Sequence, residues 1–122
     1  MSSLQQSIQD LLSIEGATGA AIVDLSSGMA LATGGNPGFN LDVAAAGNAS
    51  VIQTKLRTMA DMGLSDEIED ILITLGGQYH LVNVMNEDTT KGLFVYLTLN
   101  RNQANLALAR HKLRNVARSL TI

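Results

Sequence analysis

The sequence predicts an α/β (α+β) fold: a three-layer α-β-α sandwich around a five-stranded antiparallel sheet, in the order α-β-β-α-β-β-β-α. Five short apolar segments are separated by turns rich in Gly, Ser and Asn, which favour hairpins. Three other segments repeat apolar residues at helical spacing. Strand segments 20–23 and 93–97 are apolar at every position, so helices must cover both sheet faces, with two on one face and one on the other.

The chain is expected to begin with a helix and a hairpin. From Leu4, apolar residues recur at i, i+4, i+7 and i+8, which places them on one helix face. Ser2 or Ser3 is the expected N-cap, and Gly16 is the expected end of the helix. Apolar runs over 18–25 and 29–33 flank a Ser-Ser-Gly turn and therefore predict two paired strands.

A long helix is predicted over 41–62, after a Gly- and Pro-containing loop at 34–38. The segment has no proline, and Gly63 lies where a left-handed C-cap glycine belongs. One face of this helix suits the sheet and consists of Leu41, Ala45, Ala49, Ile52, Leu56 and Met59. A neighbouring arc extends the apolar surface to roughly half the circumference and consists of Ala44, Gly47, Val51 and Met62.

Three strands and a closing helix are predicted for the rest of the chain. The strands span 68–75, 78–85 and 93–99, separated by Gly76-Gly77 and by a polar turn at 86–92. The closing helix is expected to have its N-cap near Asn100 or Asn102. Its apolar stripe consists of Leu106, Ala109, Leu113, Val116, Ala117 and Leu120.

The wide apolar arc of the middle helix predicts a homodimer, because one sheet contact does not need that much apolar surface. The alternative is that the first helix or a loop covers the arc. The strand over 68–75 is rich in Ile and Leu and would be an adhesive edge unless it paired with its own copy across a two-fold axis. The expected dimer interface consists of Ala44, Gly47, Val51, Ile71, Ile73 and Leu75.

Composition excludes several classes of protein. The 122 residues are 46% hydrophobic and 16% charged, which predicts one folded domain over 1–122 rather than disorder. The chain has no cysteine, no signal-peptide pattern and no apolar run of membrane-spanning length, so we expect a cytoplasmic protein without membrane insertion. Residues 1–90 hold all 11 acids and two cations, a net charge of −9, whereas residues 91–122 hold six cations and no acid, +6.

No residue pattern predicts catalysis, a cofactor or a metal. His80 and His111 lie far apart in the sequence, and structural roles are the simpler interpretation. The acidic run at 66–70 is either a solvated strand entry or a cation site. The basic residues of the closing helix suit its C-terminal dipole, or else an acidic partner surface. With net charge −3 and no Trp, nucleic-acid binding is not expected.

The sequence resembles the Roadblock family of dynein-light-chain-like proteins, which includes bacterial MglB-like GTPase regulators. The resemblance rests on the opening hairpin at 16–24 with Gly28 and Leu31-Ala32, on Ala44-Ala45, on Gly76-Gly77 and on 105–110. It implies a Roadblock (profilin-like) fold, a homodimer joined through the middle helices and third strands, and partners that are often Ras-like GTPases. Longer family members carry a tail after the last helix, and no function that depends on such a tail is expected here.

The functional expectation is a non-catalytic homodimeric adaptor that regulates or docks a small Ras-like GTPase. The expected partner-binding residues lie on the arc of the middle helix opposite its sheet-facing stripe and are Ala46, Ser50, Gln53 and Arg57. Small side chains there allow close approach of another backbone, and Gln53 and Arg57 supply polar contacts. The alternative is a structural subunit of a larger assembly, dynein-light-chain-like, with no GTPase partner. An enzyme ranks third.

Overall fold

The computed structural model describes residues 2–121, which form three helices and five strands in the predicted order. The elements are α1 (Leu4–Leu12), β1 (Ala17–Asp24), β2 (Ala30–Gly35), α2 (Leu41–Asp61), β3 (Asp70–Thr74), β4 (Gln78–Val84), β5 (Leu93–Asn100) and α3 (Leu106–Ser119). No helix within the described range is both long and apolar enough to cross a membrane.

The five strands form one sheet in the order β2-β1-β5-β4-β3, and every neighbouring pair is antiparallel. β5 lies at the centre and is buried over seven consecutive residues, as its uninterrupted apolar sequence predicts. β2 and β3 are the two edges. The predicted sheet is therefore confirmed, and the strand expected to be an edge is one.

Helices pack on both faces of the sheet, two on one side and one on the other. α1 and α3 cover the first face, where Ile8 and Leu113 join a core with Leu97 of β5. α2 covers part of the second face, where Ile52 packs into a core with Phe94. This arrangement confirms the three-layer sandwich and leaves α2 as the single helix of its layer.

Polar caps and glycines fix most helix ends. The Ser3 side chain accepts a hydrogen bond from the Gln6 backbone N–H at 3.2 Å, which confirms one of the two expected N-caps. Gly63 follows α2 with φ +70°, the left-handed conformation expected there. α1 itself ends at Leu12, before Gly16. Gly16 instead serves a close approach, because a Cβ added to it would lie 2.9 Å from the Ala104 backbone nitrogen.

The N-cap of α3 is Asn105, and the expectation of Asn100 or Asn102 was wrong. The Asn105 side chain accepts a hydrogen bond from the Leu108 backbone N–H at 3.1 Å. Asn100 is still the last residue of β5, and its backbone carbonyl accepts bonds from the N–H groups of Gln103 and Ala104. These bonds close a turn before the helix begins, so the helix starts later than the sequence pattern suggested.

The strand limits differ from expectation by one or two residues, and the largest differences are in β3 and β2. β3 starts at Asp70 instead of Ile68 and is five residues long. β2 continues through Gly34 and Gly35, which the sequence predicts to lie in the following loop. Both glycines pair with β1, Gly34 with Ala20 and Gly35 with Gly19. A Cβ added at Gly34 would lie 2.5 Å from Ile8 Cγ2, so glycine lets the strand pass close under α1.

The sheet-facing stripe of α2 is confirmed for most of its length. Ala45, Ala49, Ile52 and Met59 are buried. Leu56 is an exception, with 38% of its surface exposed, because no other part of the described chain covers the helix there. α2 therefore exposes one apolar side chain, Leu56, that was predicted to face the sheet.

Candidate functional site

The second sheet face is only partly covered at its β3 edge. α2 packs beside β1 and β2, and its other flank borders β4 and β3. On β3, Ile71 and Ile73 pair with Val82 and His80 of β4, so the side chains of these register partners share this sheet face. Both isoleucines are only partly buried. We call this region, formed by the Ala44, Gly47 and Val51 flank of α2 with Ile71, Ile73 and His80, the open face.

A shallow cavity of about 410 Å³ lies in the open face, between the beginning of α2 and β4. Most of its lining is apolar, and three of its side chains carry aromatic or imidazole rings. Val43 and Phe39, at its rim, are 69% and 36% exposed. The lining residues are Phe39, Asn40, Val43, Ala44, Gly47, Asn48, His80 and Tyr96. Such a cavity suits an inserted apolar side chain.

The floor of the cavity is a hydrogen-bonded chain of three side chains. The Tyr96 hydroxyl lies 3.0 Å from His80 Nδ1, and His80 Nε2 lies 2.9 Å from Gln78 Oε1. Since an amide oxygen only accepts, Nε2 carries a proton, and in the neutral imidazole Nδ1 then accepts the bond from Tyr96. Burial lowers the pKa of His80 below its ordinary 6.5 and raises the pKa of Tyr96 to about 12. Both groups are therefore neutral near pH 7.

The outward surface of α2 and the loop after it continue the apolar character. Val51 is 45% exposed, and beyond the helix Met62 and Leu64 are 60% and 51% exposed. Val51 lies in a shallow depression on the helix, together with Ser50, Thr54, Lys55 and Thr58. Large exposed apolar side chains in one region of a small protein indicate a surface that contacts another molecule.

The structure brings five of the six expected dimer residues together. Ala44 and Gly47 line the cavity, Val51 lies one turn further along α2, and Ile71 and Ile73 lie on β3. The sixth, Leu75, follows the end of β3. Its carbonyl accepts a hydrogen bond from Arg101 Nη1 at 3.0 Å, and its side chain is 40% exposed at the corner of the sheet.

The four expected partner-binding residues lie along one arc of α2, where Ala46, Ser50 and Arg57 are exposed. Gln53 is partly buried, and its side-chain amide donates a 2.7 Å hydrogen bond to the Leu25 carbonyl. Ala46 lies against the β1–β2 turn, because a Cβ added at Gly28 would be 3.3 Å from Ala46 Cα. The flank therefore turns toward the β1–β2 hairpin because α2 lies close to that edge of the sheet. Ala46 nevertheless remains exposed, as do Ser50 and Arg57, so this surface stays a prediction.

Sequence reasoning missed the residues that complete the cavity. Val43 lies four residues before Gly47 and one turn from it, so a wider reading of the helical wheel would have included it. Phe39, Asn48 and Tyr96 gave no such signal. Tyr96 belongs to a strand that is apolar throughout, and only the sheet register shows that it faces His80 across the β4–β5 pair.

The charged residues form a second, smaller region beside α3. Arg110 forms an ion pair with Asp70, at 2.6 Å between Nη2 and Oδ2. Next to it, a cavity of about 210 Å³ is lined by charges of both signs, including Glu69, Glu87, Arg114 and Arg118. Within residues 2–121, no three His, Asp or Glu side chains are arranged to hold a metal ion.

Comparison with known proteins gives matches of structure and none of sequence. No family model and no curated protein sequence matches the chain. A Roadblock/LC7 domain from Streptomyces avermitilis superposes with a TM-score of 0.80 at 14% identity, over 97% of this chain and 94% of that one. Myxococcus xanthus MglB gives a TM-score of 0.72 at 12% identity, over 92% and 83%.

A third structure, described as MglB with a tetrameric arrangement, gives a TM-score of 0.78 at 17% identity, over 95% of this chain and 83% of that one. At such identities the likeness establishes the fold alone. The chain has the Roadblock/LC7 fold, which confirms the predicted fold class and the resemblance seen in the sequence.

Proposed function

We propose that this protein is a non-catalytic homodimeric adaptor that binds a small Ras-like GTPase. The observation that carries the proposal is the open face: a partly covered apolar sheet surface, an apolar cavity beside α2 and an edge strand next to both. A single copy leaves these three features to solvent at the same place. A second copy covers them together.

The edge strand β3 supports the homodimer. Its five residues pair with β4 in one uninterrupted register, and its other side has no strand partner within the described chain. An unpaired edge with regular backbone and Ile side chains is a ready template for another strand. Two copies related by a two-fold axis would pair β3 with β3 in one continuous sheet and bring both α2 helices side by side.

The GTPase part of the proposal rests on the shared fold and on the surface of α2. The neighbours in structure include MglB, and one of them is described as tetrameric, which is consistent with self-association. The depression around Ser50, Thr54 and Thr58 also includes Val51, so it adjoins the open face along the same flank of α2, and a partner there would contact α2 beside the proposed dimer interface. Small and hydroxylated side chains there leave room for a partner to approach closely.

The mechanism needs no reacting side chain. A regulator shifts the equilibrium between two conformations of a GTPase only as far as its affinities for the two conformations differ. The dimer would bind the GTP-bound form more tightly than the GDP-bound form, or the reverse, and hold it in that conformation.

The proposal is tested with the small Ras-like GTPases of the source organism, each loaded with a non-hydrolysable GTP analogue or with GDP. Purified adaptor is immobilised, and binding is measured for the native chain and for Ser50→Arg, which places a large charge in the exposed depression. The matched control is Gln9→Arg, an exposed position on α1 on the far side of the sheet.

We expect nucleotide-dependent binding that Ser50→Arg reduces at least about tenfold and Gln9→Arg leaves unchanged. Binding that does not depend on the nucleotide would favour the structural-subunit alternative. Absence of binding to every GTPase of the set would remove the GTPase part of the proposal.

The homodimer has its own test, the molar mass in solution at micromolar concentration. Ile73→Arg places a charge in the open face on β3 and should give monomers. Leu31→Arg is the matched control, because Leu31 is an exposed apolar residue on the opposite edge strand, at 46% exposure. Equal dissociation in both variants, or a monomeric native chain, would contradict this interface.

A further inference from the structure

His80 is the titratable histidine of the open face, and both of its ring nitrogens are hydrogen-bonded to uncharged side chains, Tyr96 on one side and Gln78 on the other. The neutral ring donates from Nε2 to the amide oxygen and accepts from the hydroxyl at Nδ1. A second proton on Nδ1 would reverse the bond to Tyr96, so that the hydroxyl accepts, and neither partner would supply a negative charge.

No charged side chain faces His80 from the elements around it. α2 presents Gly47 and Asn48, β5 presents Tyr96, and the segment before α2 presents Phe39. β3 presents Ile73, the register partner of His80. Tyr96 is the only other titratable group in this set, and burial keeps it neutral, with its pKa raised to about 12. An imidazolium at this place would therefore have no counter-ion.

The two rings beside His80 carry no formal charge and therefore supply no counter-ion. The Phe39 ring lies 5.7 Å from the imidazole centroid at an angle of 37°, and the Tyr96 ring is nearly perpendicular to the imidazole, at 5.5 Å and 86°. Because the cavity is shallow and open, water can reach His80 in a single copy.

We propose that His80 makes dimerisation through the open face sensitive to protons: the dimer forms with His80 neutral and dissociates when His80 is protonated. This inference rests on the homodimer proposed above. A second copy over the cavity would exclude the water that a charged ring needs, without bringing a nearby acid from the open face of either copy. Protonation therefore opposes association, and association opposes protonation.

The direction of the pH dependence follows from this linkage. The pKa of His80 already lies below the ordinary 6.5 because of burial, and burial in a dimer lowers it further. The dissociation constant of the dimer is lowest above about pH 6.5. It rises as the pH falls through the pKa that His80 has in the free protein. Since each dimer holds two copies of His80, the dissociation constant rises by up to about 100-fold per pH unit.

The test is sedimentation equilibrium of the full chain between pH 7.5 and 5.0 at constant ionic strength. The native chain is compared with His80→Gln, which keeps a neutral side chain with a donor and an acceptor. The matched control is His111→Gln, at the exposed second histidine of the chain, on α3. Far-ultraviolet circular dichroism at each pH checks that all three proteins remain folded.

We expect the native chain and His111→Gln to dissociate together as the pH falls, and His80→Gln to dimerise with little dependence on pH. If His80→Gln does not fold, the His80 ring signal is titrated by NMR in the native chain at two protein concentrations. Its pKa should then fall as the concentration rises.

The outcomes separate the two proposals. A native dimer whose dissociation constant is flat over this pH range overturns the role of His80 and leaves the homodimer standing. The same is true if His111→Gln removes the pH dependence, or if the His80 pKa does not change with concentration. A native chain that is monomeric at every pH overturns the homodimer itself.

Discussion

Gly47 offers a substitution whose effects on folding and on association should have opposite signs. It lies in the middle of α2, and a Cβ added there would have no heavy atom within 4 Å in a single copy. Glycine inside a helix is less favourable than alanine by about 1 kcal/mol. Gly47→Ala should therefore stabilise the isolated chain by about that amount, which corresponds to a rise in Tm of roughly 3–6 °C for a domain of this size.

The same methyl group should weaken the proposed dimer. Gly47 lines the cavity of the open face, where another copy would pack against α2, and an added Cβ there takes space from the partner. Thermal unfolding is measured at nanomolar concentration, and the dissociation constant is measured by sedimentation at pH 7.5. Ser50→Ala is the control, because it raises helix propensity on the same helix at an exposed position outside the cavity.

Two results would refute this reasoning. A lower Tm for Gly47→Ala in dilute solution would mean that the space beside Gly47 is already filled within one copy. A dimer that is as strong in Gly47→Ala as in Ser50→Ala would mean that no second chain approaches the helix at this residue.

Three further substitutions test the fold. Gly34→Ala should destabilise the chain by about 1–3 kcal/mol, because the new Cβ would lie 2.5 Å from Ile8 Cγ2; urea unfolding that matches the native chain would contradict this packing. Asn105→Ala should cost about 1 kcal/mol through loss of the α3 N-cap, whereas Asn102→Ala in the preceding turn should cost much less; equal midpoints would contradict the cap assignment. Arg110→Ala should change stability by less than about 1 kcal/mol, since its ion pair with Asp70 is partly exposed; a larger loss in denaturant would show that this contact is undervalued.

The fold could be predicted from the sequence because its signals are local and repeated. Apolar periodicity identified all eight elements, and uninterrupted apolar strands such as β5 showed that both sheet faces are covered. The errors lie where a tertiary contact overrides local chemistry. Gly34 looks like a loop residue until α1 is seen to lie on it, and Asn105 becomes a cap only because Asn100 is occupied by a turn.

The candidate site could be predicted only in part, for a related physical reason. Gly47 and Ile73 were predicted as interface residues because α2 and β3 each carry more apolar surface than contacts within one copy need. The link between His80 and Tyr96 spans 16 residues and depends on strand register, which a single sequence does not fix. Gln53 shows the complementary limit: a helical wheel gives angles within α2 but not the direction in which α2 lies on the sheet, so the bond from Gln53 to the Leu25 carbonyl could not be predicted.

The difference between the two sheet edges explains why β3, rather than β2, is the edge proposed to pair with its copy. The register of β2 against β1 shifts between Ile22 and Val23, and a shift of this kind bends an edge and disfavours further pairing. β2 also ends in Gly34 and Gly35, whose added Cβ atoms would meet side chains of α1. β3 has neither protection, since its register with β4 is regular over all five residues and no helix covers its α2-side face completely. An edge that is regular, apolar and next to an open cavity is stable in solution only when something covers it, and a second copy of the same edge has the matching backbone and the matching isoleucines.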